Sequence, residues 1–238
     1  MSTIADSSSS IPVLISTTGP IVGFPSNWSL VDLQDHLGGI PLERILLYRS
    51  PGTATEEDAL WLEDHEDRIC ELVDGVLVEK IMSSYESILA MVLVFYLQQY
   101  LQQSPLGVIL GEAGQLRILP KKLRVPDVAF VSWERFPDGQ LPKDRVYRVA
   151  PDLAVEILSE GNTKREMERK LDEYFEAGVR LVWYIDPRSR TATIYTDPNS
   201  GTEIDAEGFL DGKDILPGFS LRLGELFDRA DRRTGPTT

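Results

Sequence analysis

"PDLAVEILSEGNTKREMERK", residues 151–170, starts as a strand and ends as a helix, and the acids in its first half decide how the chain is read. Side chains alternate along a strand, so Leu153, Val155 and Ile157 share one face while Asp152, Ala154, Glu156 and Leu158 share the other. At about 3.3 Å per residue, Asp152 and Glu156 stand roughly 13 Å apart along the strand. Two carboxylates on one Mg²⁺ need oxygens about 2.1 Å from the ion, so Asp152 is a poor partner for Glu156. A second Pro-Asp in "RVPDVAFVSW", residues 124–133, offers a better one. Asp127 opens a neighbouring strand-like segment, adjacent strands run about 4.8 Å apart, and Asp127, Ala129 and Val131 lie on one face. An isolated Asp after Pro is ordinarily a turn cap, and a strand Glu is ordinarily paired with a base. Glu156 nevertheless sits in an otherwise apolar run, and acids are rarely buried without a partner or a metal. Asp127 and Glu156 are therefore a candidate two-carboxylate platform for a divalent ion.

The cation that would complete such a site has two candidates on the following helix. Thr163 and Glu166 form a capping box that fixes its start, and Met167, Leu171, Tyr174 and Phe175 make its inward stripe. Lys164 falls within that stripe but lies in the first turn. Lys170 flanks it, one turn before Tyr174, from where an ammonium reaches back toward the Glu156 strand. A solvated lysine on an amphipathic helix explains either position, and spacing alone does not choose between them.

Composition bounds the function. The chain has 238 residues, 42% of them hydrophobic, enough for a full core, and no apolar run approaches the roughly 18–20 residues of a membrane span. The start lacks the cationic region of a secretory signal, and the single cysteine, Cys70, fits a reducing compartment, so a cytoplasmic protein is expected. A net charge of −14 argues against a general nucleic-acid binder. The charge is uneven, however: residues 1–80 carry 14 acids and 4 bases, whereas residues 117–148 carry 8 bases and 4 acids. Lys121, Lys122 and Arg124 in that basic stretch are candidate nucleic-acid contacts flanking an open groove. The two histidines, His36 and His65, have no nucleophile motif around them. Neither a phosphate-binding glycine loop nor a Cys/His zinc cluster is present in the sequence.

The punctuation of the chain predicts one α+β domain. Short helices are expected at 29–39 and 51–64, a hairpin around Asp74-Gly75, and a long apolar helix over 85–103 lying across a sheet. Short β-branched strands follow, then the helix at 163–177, a hairpin around "PRSR", and a closing segment at 216–227. We read residues 1–50 as a flexible tail with a short helical extension, 51–228 as the domain, and 229–238 as a frayed end.

These residues carry a resemblance. The stretches "CELVDGVLVEKIMSSYES" (70–87), "RVPDVAFVSWERFP" (124–137), "APDLAVEILSEGNTKREMERKLDEYFEAGVRLVWYIDP" (150–187) and "ILPGFSLRLGELF" (215–227) resemble the Uma-two family of restriction endonuclease-like proteins within the PD-(D/E)XK nuclease superfamily. The resemblance implies a restriction endonuclease-like core, a mixed sheet flanked by helices, and Asp127 and Glu156 as metal-binding acids. The superfamily's usual lysine, two residues after the second acid, is Leu158 here, and the resemblance moves that cation to Lys170. It implies Tyr174 packing or bonding beside Lys170, Glu86 as an extra metal ligand, and Glu71 as a supporting residue, although a strand Glu paired with an arginine explains Glu71 equally well. Mg²⁺ or Mn²⁺ would be the cofactor, with the Leu158 backbone carbonyl completing its shell, DNA the substrate, and a homodimer a possible assembly. Two rivals stand beside this reading: a catalytically inactive interaction module, and a metal-dependent hydrolase of a small phosphoester with a closed pocket. The first is discriminated by whether Lys170 lies within about 4–5 Å of the Glu156 carboxylate, close enough for an opposite charge to matter.

Overall fold

The computed structural model describes residues 24, 25 and 27–231. The expected flexible tail lies outside the described residues up to position 23, as does the end beyond 231. Four helices begin on the same device. α1 (Leu30–His36), α2 (Glu56–Glu66), α3 (Ser84–Leu101) and α4 (Lys164–Glu176) are each opened by a capping box, with Ser29 and Asp32, Thr55 and Asp58, Ser83 and Glu86, and Thr163 and Glu166 satisfying one another's backbone donors.

One sheet is antiparallel throughout. Its strands are β1 (Ile45–Leu46), β2 (Cys70–Val73), β3 (Val76–Glu79), β5 (Leu116–Leu119) and β6 (Lys122–Arg124), in the order β1-β3-β2-β6-β5. β4 (Gly107–Leu110) belongs to the other sheet. The β2–β3 hairpin turns on Asp74 (φ 51°) and Gly75 (φ 76°), both left-handed as a two-residue turn of this kind requires. Gly75 is also fixed by space, because a Cβ there would stand 2.3 Å from the Gly52 carbonyl. The segment before α2 packs onto this sheet, with Leu33, Leu37 and Ile40 buried against Val73, Val76 and Val78. What the sequence suggested was an extension is thus part of the core.

The second sheet holds β4, β7 (Val128–Ser132), β8 (Leu153–Ile157), β9 (Leu181–Asp186), β10 (Thr191–Tyr195) and β11 (Gly201–Ile204), in the order β11-β10-β9-β8-β7-β4. Only β8 and β9 run parallel in it, and α4 is the crossover that parallel neighbours need. A small hairpin, β12 (Phe209–Asp211) with β13 (Ser220–Arg222), leads into α5 (Leu223–Ala230), two residues past the expected boundary of the domain. One face of the sheet, with Val128, Phe130, Val155 and Trp183, is covered by Leu89, Leu93 and Leu97 of α3 and by Leu226 and Phe227 of α5. The opposite face, with Ala129, Ala154, Val182 and Tyr184, is covered by Met167, Leu171 and Tyr174 of α4. The strand period of two therefore sends Asp127 and Glu156 toward α4 rather than into the all-apolar core.

Trp183 is fully buried in that apolar core, and its indole N–H has no partner. Trp183→Ala is expected to cost about 3–5 kcal/mol in urea unfolding through the cavity left behind. Trp183→Phe, which removes the unpaired donor while keeping an aromatic ring, is expected to cost less than about 1.5 kcal/mol.

Candidate active site

Register brings the two acids together. β7 and β8 pair antiparallel with Val128 opposite Val155, so the next step along the ladder sets Asp127 opposite Glu156. The Asp127 N–H donates to the Val155 carbonyl at 3.0 Å, and the Ile157 N–H donates to Asp127 Oδ2 at 2.6 Å. Directly opposed residues carry Cβ atoms about 4.5–5.5 Å apart on one face. The segment Val125–Pro126–Asp127 is where the chain leaves the five-stranded sheet for the six-stranded one, so the acids sit at the junction of the two.

Lys170 of α4 faces them. Its Nζ lies 3.1 Å from both Glu156 oxygens and 3.1 Å from Glu71 Oε1, on a helix turn that also directs the Tyr174 hydroxyl to donate to Glu156 Oε1 at 2.5 Å. Glu156 and Lys170 are 5% and 4% exposed. Burial raises the Glu156 carboxyl above its ordinary value, and the negative charges of Asp127 and Glu71 add to that against the pull of Lys170. Burial works against the Lys170 ammonium too, but Glu156 and Glu71 outweigh it and hold the group protonated. Burial likewise raises the Tyr174 phenol well above its ordinary value, with Glu156 and Glu71 adding to the effect, so it remains a donor.

Glu71, on β2, anchors the other side. Its Oε2 accepts from Arg124 Nη1 at 2.7 Å, and its Oε1 accepts from the Val125 N–H at 3.2 Å. Burial alone would raise this carboxyl. Lys170, Arg124 and the Val125 N–H together overcome it and hold the group well below the usual carboxylate range. Arg124 continues the ladder by donating from Nε to Glu173 at 2.9 Å.

Of Lys121, Lys122 and Arg124, the bases expected to flank a nucleic-acid groove, Arg124 is out of reach of a ligand. Arg124 is only 1% exposed and is consumed by Glu71 and Glu173. Lys122 is held between Asp74 at 2.7 Å and Glu173 at 2.8 Å. Lys121 occupies a left-handed position in the β5–β6 turn, exposed but away from the acids' cleft. Burial of Arg124, which sequence order cannot show, is the physical reason it is out of reach. Lys164 projects to solvent, 89% exposed, beside Glu168.

Sequence reasoning missed Lys80. It follows β3, and its Nζ lies 2.8 Å from Asp127 Oδ1 and donates to the Val125 carbonyl at 2.6 Å. Arg44 was missed as well. It grips Glu166, the capping acid of α4, through two bonds of 2.9 and 3.0 Å and donates to the Glu79 and Gly161 carbonyls. A base closing an apolar hairpin strand was the available signal for Lys80; Arg44 had none.

Asp127, Glu156, Glu71, Lys80 and Lys170 line a cleft with about 20 Å³ of free space, room for one ion or one water. Glu86 lines it too, but its Oε2 accepts from the Ser83 N–H at 2.7 Å in the α3 cap. Ile157 contributes to this cleft, whereas Leu158 lines a neighbouring pocket of about 540 Å³. Among the described residues no three acidic, histidine or cysteine side chains form a full metal cage. Two opposed hard carboxylates with an excess of negative charge nonetheless fit a divalent cation of the Mg²⁺ type, which keeps several waters and takes one or two carboxylates.

A profile of the Uma2 family, described as "Putative restriction endonuclease", matches residues 56–224, most of the chain. The chain belongs to the Uma2 family. Among solved structures, this Uma2 chain is similar to one from Anabaena variabilis ATCC 29413 described as "a putative nuclease belonging to DUF820", with a TM-score of 0.62 and 19% identity over 69% of this chain and 92% of that one. That likeness shows a shared fold. No curated protein matches the Uma2 chain. PD-(D/E)XK nucleases, the superfamily this family fits, generally depend on a divalent metal. No helix among the described residues is long and apolar enough to cross a membrane.

The opposite shifts of Glu71 and Glu156 separate their roles. Because Glu71 titrates below its unfolded value, its contribution to stability is present above about pH 4 and is lost as the pH falls through its folded value. Glu156 titrates above its unfolded value, so its ionisation works against folding as the pH rises. Glu71→Gln is therefore expected to cost about 3–5 kcal/mol at pH 7, because it leaves Arg124 with Glu173 alone and Lys170 with Glu156 alone, two buried cations short of a carboxylate. Glu156→Gln is expected to cost clearly less in the same urea titration, and the reverse order would contradict this electrostatic picture.

Proposed function

We propose that this Uma2 chain is a divalent-metal-dependent endonuclease that hydrolyses phosphodiester bonds of nucleic acid, with DNA as its substrate. The observation that carries the reading is Lys170 Nζ at 3.1 Å from both Glu156 oxygens, with Glu156 directly across the β7–β8 ladder from Asp127. This arrangement is what the resemblance to the superfamily leads one to expect, two acids and a cation, with the cation delivered from a helix. It favours catalysis over an inactive interaction module, because the lysine stands within the 4–5 Å of the Glu156 carboxylate at which an opposite charge acts on it.

Asp127 and Glu156 would hold Mg²⁺ or Mn²⁺, with a backbone carbonyl at the end of β8 (Leu158, or Ile157 beside the cleft) and Glu86 at its rim as further donors. The ion supplies polarisation of the scissile phosphate and a water of lowered pKa. Tyr174 and Lys170 fix the Glu156 carboxylate in one orientation, so it needs no reorganisation when the substrate arrives. Lys170, kept cationic by Glu156 and Glu71, offsets negative charge growing on the phosphate oxygens. Glu71 positions Lys170 while holding Arg124 on its other oxygen.

One observation favours a second reading. The carboxylate cleft is narrow, and two of the three bases expected to flank a groove, Lys122 and Arg124, are consumed in ion pairs, which suits a small phosphoester as well as a polymer. Cleavage of supercoiled plasmid and of single-stranded DNA at low salt with Mg²⁺ or Mn²⁺ distinguishes the two. Metal-dependent cutting is expected in wild type, lost in Glu156→Ala and Asp127→Asn, and slowed about 10²–10³-fold in Lys170→Met with Mn²⁺ binding retained. Equal cutting by wild type and Glu156→Ala would contradict the proposal. Hydrolysis of bis-p-nitrophenyl phosphate without DNA cutting would establish the second reading.

A further inference from the structure

The roles above leave one largely covered cation at the cleft unused. Lys80 leaves the end of β3 with its side chain 11% exposed, and its Nζ contacts Asp127 Oδ1 at 2.8 Å, the Val125 carbonyl at 2.6 Å and the Glu112 carbonyl at 3.4 Å. Asp127 Oδ2 already accepts from the Ile157 N–H, and both Glu156 oxygens are held by Lys170, one of them also by Tyr174. Every carboxylate oxygen of the pair therefore has a partner, and Asp127 Oδ1 is held by a second ammonium. The other charges nearby are committed elsewhere: Glu79 to Arg68, Glu86 to the α3 cap, Arg44 to Glu166.

Charge balance says what must happen when a divalent ion arrives. Glu71, Asp127, Glu156 and Glu173 against Lys80, Lys170 and Arg124 leave one negative charge, with Lys122 balanced by Asp74. Adding two positive charges with Lys80 in place makes a buried cluster net positive, which low dielectric penalises. Moving Lys80 out leaves the cluster neutral. Lys80 has the means to move, since its head group hangs on a flexible four-carbon stem at the rim of the cleft.

We propose that Lys80 is the resident counter-ion of Asp127, displaced by the divalent cation, and that the displaced ammonium then binds the substrate phosphate at the cleft rim. The inference rests on the carboxylate reading above and adds a substrate-contacting residue to it. The test is a Mn²⁺ titration followed by the electron paramagnetic resonance of the free ion, with wild type, Lys80→Met, Lys80→Gln, Lys80→Arg and Asp127→Asn, each checked for folding by thermal melting. Lys80→Met is expected to bind Mn²⁺ roughly tenfold more tightly or better, because an opposing unit charge within ion-pair distance is gone. Lys80→Gln, which keeps a polar head to meet the Val125 carbonyl, is expected to do the same should the methionine variant fail to fold, and Lys80→Arg is expected to stay near wild type. Unchanged or weaker binding in the neutral variants overturns the displacement. At saturating metal, Lys80→Met is expected to raise KM for an oligonucleotide several-fold with kcat less affected, and an unchanged KM overturns the phosphate contact. Wild-type Mn²⁺ binding by Asp127→Asn would instead sink the carboxylate reading itself, so the two failures are distinct.

Discussion

The contact on which the rest depends is the Lys170 ammonium, shared at 3.1 Å between Glu156 of one sheet and Glu71 of the other. Through it, α4 is bound to both sheets at once. Arg124 repeats the arrangement one step away, joining Glu71 to Glu173 of the same helix. Buried pairs of this kind are a weak source of stability, since removing two ions from water costs about as much as their attraction returns. Their effect is on geometry: each side chain is held by two or more partners, and breaking one strands a buried charge. The acids are thereby kept opposed, close and desolvated.

The fold delivers this cluster by simple means. A capping box opens α4 at Thr163, which sets the helix phase so that Met167, Lys170, Leu171 and Tyr174 all face the sheet. Arg44 clamps the capping acid Glu166 from the chain before α2, so the first turn of α4 is held from outside the helix as well. The switch of sheets at Val125–Pro126–Asp127 brings Asp127 to the β7 edge of Glu156, and the β2–β3 hairpin supplies Glu71 at its start and Lys80 at its end. The site thus draws on strands of both sheets and one helix, yet each contribution is a single residue at an element's end or on its inward face.

Much of this was legible in the chain. The parity of β8 and the two Pro-Asp steps singled out Asp127 and Glu156, and the helix, hairpin and long α3 followed from caps, Asp-Gly and apolar runs. Lys170 and Lys164 could not be separated by spacing, because both lie near the inward stripe; the first turn of α4 faces solvent at Lys164, whereas the second brings Lys170 under the sheet. Arg124 was misread because a buried arginine looks like any basic residue in a basic stretch. Its partners Glu71 and Glu173 are 53 and 49 residues away, and only the tertiary fold shows them. The same holds for Lys80, whose partner Asp127 lies across the sheet junction, and for the short strands β6, β11 and β12, which pair in the fold but carry little alternation of their own.

Anomalous diffraction from crystals grown with Mn²⁺ tests the central claim most directly. A single strong peak is expected about 2.1–2.2 Å from an oxygen of Asp127 and an oxygen of Glu156, with the Lys80 head group moved off Asp127. A peak elsewhere, or none at these carboxylates while Lys80 and Lys170 keep their present partners, would mean that the cluster is a structural ion-pair network and that the chemistry of this Uma2 chain lies in another place.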